Sequence, residues 1–242
     1  MKNGFTLAEV LITLGIIGVV AAMTLPTLIQ NHQKRSLEVA TQKFYSTLSQ
    51  AVKKYMADEG VDDLRNTPLA SDNYEAYYSP EAIASIRNFV TKYLKVVEEC
   101  DHEANNCFAS IYKNWDGSAP DSNFTTEANW GRSRDYVLAD GSVIRIRYTC
   151  NSSPIELYVD VNGKKGPNRI GYDLWSMSIF YDGVIDESEV GPECRGSRVD
   201  DWSEGYIYNV HEKREEHFEG CKSGLYGGCF GHFLENNFKF DY

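Results

Sequence analysis

One acidic side chain lies in an otherwise apolar stretch near the start of the sequence. Residues 5–25 read FTLAEVLITLGIIGVVAAMTL and carry a single charge, that of Glu9. A carboxylate on a lipid-facing helix costs on the order of 3 kcal/mol, so this charge needs either a partner or a place among the lipid headgroups. Glu9 is therefore the first candidate functional residue, and its chemistry is charge pairing.

A loop rich in oxygen-bearing side chains is the second candidate. Asp160, Asn162 and Asp173 lie in the glycine-rich segment 160–173. Such side chains are the hard oxygen ligands that Ca²⁺ takes in proteins. The spacing differs from that of an EF-hand, and the alternative is an Asn/Gly turn held by side-chain-to-backbone hydrogen bonds. The sequence indicates no required cofactor, and calcium is the one candidate.

The cysteines form an even set, and all of them follow residue 99. This distribution favours an oxidising compartment for the later part of the chain. Short separations favour the pairs Cys100–Cys107 and Cys221–Cys229, which leaves Cys150 with Cys194 among 15 formal connectivities. A metal site around Cys100 is the alternative to the first disulfide, but no Cys-x-x-Cys pair supports it. The six cysteines are Cys100, Cys107, Cys150, Cys194, Cys221 and Cys229.

No catalytic set is present, so the sequence predicts a protein that is not an enzyme. His211 and His217 are six residues apart, whereas the zinc-protease helix needs four, and a solvated charged segment is the simpler interpretation. No nucleophile-elbow, Walker or dinucleotide-binding motif appears.

The overall charge argues against nucleic acid as a partner. The 35 acidic residues outnumber 24 Lys and Arg, giving a formal net charge of −11, and such a surface repels phosphate backbones. A DNA-uptake role would need a local basic patch, for which Arg145, Arg147, Lys164 and Lys165 are the candidates.

The apolar stretch around Glu9 is long enough to cross a membrane. As a helix at ~1.5 Å per residue, residues 5–25 span about 32 Å, against ~30 Å for a hydrocarbon core. A secretory signal peptide has a shorter apolar core followed by a cleavage site, so this segment is predicted to be a retained anchor. Lys2 and the position of the cysteines place the N-terminus inside and the remaining chain outside.

The same helix is predicted to continue beyond the anchor to residue 58, with a kink at Pro26 and an end at Gly60. Steps of three and four residues indicate one apolar stripe, and the charged residues fall largely off it. The stripe consists of Leu37, Ala40, Phe44, Leu48, Ala51, Val52 and Tyr55. The charged residues are Lys34, Arg35, Glu38, Lys43, Lys53 and Lys54.

The rest of the chain is predicted to be an α+β head with an antiparallel sheet. A second helix begins with Ser79 as N-cap and Pro80 in the first turn, and is expected to end near Cys100. Its predicted apolar face is Ile83, Ile86, Val90, Leu94 and Val97. Strands are predicted at residues 108–113, 136–139, 142–147, 155–159 and 175–181, with a weaker one at 206–210. The Asp140-Gly141 dipeptide predicts a hairpin turn.

The string Gly4-Phe5-Thr6-Leu7-Ala8-Glu9 resembles the prepilin cleavage site shared by type IV pilins and the pseudopilins of type II secretion systems. The resemblance covers residues 1–30 closely and extends to the long helix in general character. It implies cleavage by a prepilin peptidase between Gly4 and Phe5, N-methylation of Phe5, and a role for Glu9 in filament assembly. It also implies a pilin-like fold, with the long helix packed on an antiparallel sheet. Major pseudopilins carry an Asp-rich calcium loop near their C-terminus, which is similar in character to segment 160–173.

The chemistry of the cut fits this role for Glu9. Cleavage creates a cationic amine at Phe5 within the apolar layer, and at ~4 Å with an effective dielectric near 20 its attraction to a carboxylate is about 4 kcal/mol before desolvation. In a filament this amine could meet Glu9 of a neighbouring subunit or of its own chain, and pairing would set the axial register. Gly15 and Gly18 would permit close approach of helices.

The sequence thus predicts four parts: a leader at 1–4, a membrane and filament-core helix at 5–25, its amphipathic continuation at 26–59, and an extracytoplasmic head at 60–242. The expected function is a structural pseudopilin or pilin. Its expected partners are copies of itself, other pilin-like subunits, a prepilin peptidase, an inner-membrane assembly platform and the lipid bilayer. Expected locations are the inner membrane and then a periplasmic or extracellular filament. The alternatives are a minor tip subunit with a receptor- or substrate-binding head, and a signal-anchored exported enzyme.

Overall fold

The computed structural model describes residues 6–69, 80–100, 107–120, 133–148, 155–188, 190–191, 210–224 and 227–242. The described part has the predicted α+β fold, a long N-terminal helix with an antiparallel sheet of six strands. The helices are α1 (Leu7–Glu59), α2 (Pro80–Tyr93), α3 (Val210–Lys222) and α4 (Cys229–Glu235), with a short 3₁₀ helix at Leu64–Asn66. The strands are β1 (Val96–Cys100), β2 (Arg134–Leu138), β3 (Val143–Tyr148), β4 (Ile155–Asp160), β5 (Leu174–Ile179) and β6 (Ile185–Asp186).

Helix α1 is one continuous element of 53 residues, about 80 Å long at ~1.5 Å per residue. Its N-cap is Thr6, and Pro26 lies inside it. The helix ends at Gly60, whose φ of 69° is left-handed, a conformation that glycine adopts at little cost. The prediction of a single helix with its end at Gly60 is confirmed.

The sheet is a meander in which every strand pairs with the next strand in sequence. The Asp140-Gly141 turn connects β2 and β3, and Gly141 has a φ of 90°. The turn sets the register so that Asp135 lies opposite Arg145. Strands β4 and β5 likewise confirm the predictions for residues 155–159 and 175–181.

The second half of α1 contributes one side of the hydrophobic core. Every residue of β5 is buried, and α4 covers this strand with Phe233, whose ring centroid lies 4.5 Å from that of Trp175. Strand and helix side chains form one cluster, so the head and the second half of α1 share a single core. The buried residues of α1 are Leu37, Glu38, Thr41, Phe44, Leu48, Ala51, Val52 and Tyr55.

Two element predictions were wrong. Helix α2 ends at Tyr93, and the next residues form strand β1 with Val97 64% exposed, not on the buried face of a helix. The adjacent β-branched residues Val96 and Val97 suit a strand. This strand, β1, pairs antiparallel with β2, which supplies the backbone hydrogen-bond partners of β1. Residues 108–113 form no strand; Phe108 and Tyr112 are buried in a loop with one bridge from Lys113.

Some predictions fall on residues that the structure does not describe. Ser79, Cys150 and Cys194 lie outside the described residues, as do 206–209 of the weaker strand prediction. Val210, the last residue of that prediction, begins helix α3.

Candidate functional site

The first half of α1 exposes nearly all of its side chains. From Thr6 to Gln33 every residue is exposed except Ala21, which is half-buried. Large apolar side chains are among the most exposed, with Leu7 at 79% and Met23 at 73%. Among the described helices, α1 alone is long and apolar enough, by length and composition, to cross a membrane. Such a surface needs lipid or other protein around it.

Glu9 lies at the start of this surface and closes a capping box with Thr6. The Thr6 amide and hydroxyl donate to Glu9 Oε2 at 2.8 and 2.7 Å, and the Glu9 amide donates to Thr6 Oγ1 at 3.3 Å. The carboxylate therefore satisfies backbone groups of its own helix in the single chain. The Thr6-x-x-Glu9 pattern is a capping-box signature that the sequence prediction for Glu9 did not use. Gly4 and Phe5 lie outside the described residues.

The second half of α1 carries a buried carboxylate that the apolar stripe did not predict. Glu38 is 8% exposed and accepts hydrogen bonds from Lys239 Nζ at 2.9 Å and the Phe240 amide at 3.0 Å. Lys34 donates to the backbone oxygen of Tyr242. The prediction that Glu38 lies off the buried face was wrong, because its partners come from a segment about 200 residues away, which helical periodicity cannot show.

The loop that follows β4 brings two predicted calcium ligands together. Asp160 and Asp173 are both fully buried. Burial raises the pKa of each carboxyl, and the Asp173 charge raises the pKa of Asp160 further. Asp160 accepts from the Tyr112 hydroxyl at 2.5 Å, and Asp173 accepts from the amides of Asn168 and Arg169, both at 2.7 Å. The two bonds from backbone amides are of the side-chain-to-backbone kind expected of an Asn/Gly turn, whereas the Tyr112 bond joins two side chains.

The same loop holds two buried oxygen atoms that have no hydrogen-bond partner. They are the side-chain oxygens of Asn162 and Asn168. Asn162 donates its amide group to the Gly166 carbonyl at 3.2 Å, which leaves its oxygen for another partner. Carboxylate and amide oxygens are the donor set that suits a hard cation such as Ca²⁺. Asn168 was missed by the sequence prediction, although its type and its place in the loop were available signals.

Two disulfides are present among the described residues. Cys100 bonds to Cys107, and Cys221 bonds to Cys229. Both pairings are those that the short sequence separations favour, and the first one replaces the alternative of a metal site around Cys100. The second disulfide joins the end of α3 to the start of α4.

The basic patch considered for nucleic acid does not form as a surface. Arg145 is fully buried and pairs with Asp135, with Nε–Oδ1 and Nη2–Oδ2 distances of 2.9 and 2.7 Å. Arg147 pairs with Glu156, with an Nε–Oε2 distance of 2.6 Å. Both arginines neutralise carboxylates within the sheet, so they cannot serve as a phosphate-binding surface.

Comparison with known families gives two matches that meet within α1. A model described as a family of unknown function (DUF6613) matches residues 27–181. The chain belongs to this family. A model of the prokaryotic N-terminal methylation motif matches residues 1–25. Searches of curated proteins and of solved structures each find no match.

The methylation motif is the signature of type IV pilins and pseudopilins, so the chain is a pilin-like or pseudopilin precursor. Together with the exposed apolar helix, it indicates membrane anchoring and a structural subunit of filaments. The family match begins one residue after Pro26 and ends shortly after β5. It therefore includes the Asp160 loop and leaves out α3 and α4.

Proposed function

We propose that this protein is a structural pseudopilin or pilin of a type II secretion or type IV pilus-like filament. A prepilin peptidase cuts it between Gly4 and Phe5 and methylates the new amine of Phe5. The first half of α1 then leaves the bilayer and packs with the same helix of other subunits, while the head faces outward. Its partners are copies of itself, related subunits, the peptidase and an inner-membrane assembly platform.

The contrast within α1 carries this proposal. The helix is continuous from Leu7 to Glu59, yet its large apolar side chains are exposed before residue 34, whereas after residue 36 most of them are buried in the head's core and Val39 is the exposed exception. A helix that serves the head alone has no use for an apolar surface that the head does not cover. Lipid before assembly and neighbouring helices after it are environments that suit such a surface.

The capping box supports a two-state role for Glu9. In the single chain, Thr6 satisfies the Glu9 carboxylate. After cleavage, the cationic amine of Phe5 lies one residue from Thr6 and offers a stronger, charge-assisted partner. In the filament Glu9 pairs with the amine of a neighbouring subunit, and any other axial stagger leaves a charge unpaired in an apolar environment.

The deciding experiment is mass spectrometry of the N-terminal peptide from membrane-extracted protein, produced together with its own prepilin peptidase. We expect a chain that begins at methylated Phe5. A Gly4→Val variant should keep residue 1, because a branched side chain replaces hydrogen at the cut. Gly15→Ala is the matched control, since its added Cβ meets nothing within 4 Å, and it should be processed normally. A wild-type chain that keeps Met1, or is cut after residue 20, contradicts the proposal.

We also propose that the loop of residues 160–173 binds calcium through Asp160, Asn162 and Asp173, with Asn168 as an added ligand. The partnerless oxygens of Asn162 and Asn168 beside two buried carboxylates support this proposal. Calcium would supply the positive charge that two neighbouring buried carboxylates lack. The residues of the loop would orient around the ion and hold β4 and β5 in place.

Thermal unfolding with and without calcium tests this site. We expect millimolar Ca²⁺ to raise the unfolding midpoint of the wild-type head by a few degrees, and Mg²⁺ to raise it less. Asn162→Ala should lose most of the calcium effect, whereas Asn66→Ala, an exposed residue of the 3₁₀ helix, should keep it. Equal midpoints for wild type with and without Ca²⁺ would contradict calcium binding and would leave the filament proposal untouched.

A further inference from the structure

Side chains of α3 and α4 that are suited to metal binding meet on one side of the head. His211 and Glu215 are four residues apart on α3 and share one face of that helix, and Glu235 ends α4. One ligand atom from each of the three lies within 4.8 Å of the others. His211 Nδ1 is 3.0 Å from Glu235 Oε1. The pairing of α3 with α4 therefore gathers one imidazole and two carboxylates.

We propose that His211, Glu215 and Glu235 bind a divalent transition-metal ion of the zinc class, with water in the fourth position. Imidazole nitrogen and carboxylate oxygen are zinc ligands at ~2.0–2.2 Å, and a tetrahedral site places its ligand atoms about 3.4 Å apart. The His211–Glu235 separation of 3.0 Å is near this spacing, and the other ligand atoms lie within 4.8 Å of one another. All three side chains reach the surface, where small rotations can close them on an ion. Two carboxylates also balance the charge of one divalent cation.

A second layer of side chains holds Glu215 in place. His232 Nδ1 lies 2.7 Å from Glu215 Oε1, and His232 Nε2 lies 3.1 Å from both carboxylate oxygens of Asp241. The imidazole stacks on Phe218 with 3.8 Å between ring centroids. Metal ligands in proteins are commonly oriented by such hydrogen-bonded partners. His232 is thus a positioning residue, because it acts on the ion through Glu215.

The backbone around the site is held independently of the ion. The Cys221–Cys229 disulfide connects α3 with α4, and the side chain of Phe233 anchors α4 on Trp175 of β5. This site differs in chemistry from the loop of residues 160–173, where every candidate ligand atom is oxygen. The imidazole nitrogen favours a transition metal over Ca²⁺.

The test is zinc binding to the tag-free full chain in detergent, stripped with EDTA and dialysed, measured by titration calorimetry and by elemental analysis. We expect one Zn²⁺ per chain and a higher unfolding midpoint with Zn²⁺ than with EDTA. The double variant His211→Gln/Glu235→Gln, which removes the imidazole and one carboxylate charge, should lose this zinc and its midpoint shift. Two control variants should keep both the bound zinc and the midpoint shift. They are His32→Gln, which removes an exposed imidazole on α1, and Asp160→Asn in the loop of residues 160–173.

His232→Phe provides the second test, because phenylalanine keeps the stack on Phe218 but cannot bond to Glu215. Zinc affinity should fall about 10–100-fold with the stoichiometry retained, and the midpoint in EDTA should stay near that of wild type. If the double variant is unstable even in EDTA, the single Glu215→Gln variant provides the comparison. Wild-type protein without stoichiometric zinc, or a stable ligand variant that binds zinc as tightly as wild type, overturns the proposal.

Discussion

The two halves of α1 have the same backbone conformation but opposite relations to the rest of the chain. Residues 6–33 are exposed except for the half-buried Ala21, and the first 25 positions after the leader carry one charge, that of Glu9. Residues after 36 alternate buried and exposed positions with helical period, and their buried side belongs to the core of the head. The comparison teaches that a helix can form without being buried by its own chain: within the described residues, nothing of the head covers the first half of α1.

The largest expected difference between the halves comes from identical substitutions at two leucines. Leu48 is fully buried, so Leu48→Ala should lower the free energy of unfolding of the head by about 2–5 kcal/mol. Leu14 is 60% exposed, so Leu14→Ala should change it by less than about 0.5 kcal/mol. Denaturant unfolding of both variants in the same detergent measures the difference. Equal losses of unfolding free energy would contradict the placement of Leu48 in the core of the head and of Leu14 on the exposed half of α1.

The two glutamates of α1 offer a second comparison. Glu38→Gln should cost about 1–3 kcal/mol of head stability, because a charged acceptor of Lys239 and of the Phe240 amide becomes neutral. Glu9→Gln should leave head stability within about 0.5 kcal/mol, since its partners belong to the exposed half.

The same two substitutions should have the opposite order of effects on filament assembly. Denaturant unfolding measures their effect on head stability, and the yield of sheared filaments measures their effect on assembly. Under the proposed function, Glu9→Gln should abolish most assembly, while Glu38→Gln at a temperature well below its midpoint should keep it. Normal filaments from Glu9→Gln would refute the assembly role of this residue.

The halves should also differ in their response to pH. Burial raises the pKa of Asp160, Asp173 and Glu187 above their ordinary values, so the folded head binds more protons than the unfolded chain above about pH 4. Head stability should therefore fall as pH rises from about 5 to 8, while the helicity of the first half of α1 should not follow it. Thermal midpoints by near-ultraviolet circular dichroism measure the head in calcium-free buffer.

Asp160→Asn should flatten this pH dependence, because the amide does not titrate and the repulsion with Asp173 is gone. Asp62→Asn, at an exposed position, should reproduce the wild-type slope. A head that becomes more stable between pH 5 and 8 would contradict the direction assigned to these buried carboxyls.

The smallest expected effect compares two glycines of the same helix region. Gly60→Ala should cost about 1–2 kcal/mol, because residue 60 has a left-handed φ of 69° and an added Cβ there meets no other atom that could compensate. Gly15→Ala lies in the helix interior with free space around it, so it should favour the helix slightly. Unfolding midpoints of the two variants, compared with wild type, check both signs.

Short-range patterns predicted much of the fold because their physics is local. The Asp140-Gly141 turn, the strand at Ile155–Asp160 and the end of α1 at Gly60 all depend on residues within a few positions of one another. The same reasoning failed at Val97, where a helix and an edge strand both suit the local residues and pairing with β2 decides between them. It also failed at residues 108–113, where the apolar side chains Phe108 and Tyr112 are buried from a loop, so that an apolar pattern there does not imply a strand.

The candidate sites likewise divide into those that local sequence predicts and those that only the tertiary structure shows. The cleavage string and Glu9 are contiguous, so local sequence was enough to recognise them, and Asp160, Asn162 and Asp173 share one loop. Tertiary structure alone showed that Glu38 is buried under Lys239 and Phe240, and that His211 of α3 faces Glu235 of α4. The physical reason is that helical and strand periods arise from neighbouring backbone geometry, whereas the approach of distant side chains depends on how the whole core packs.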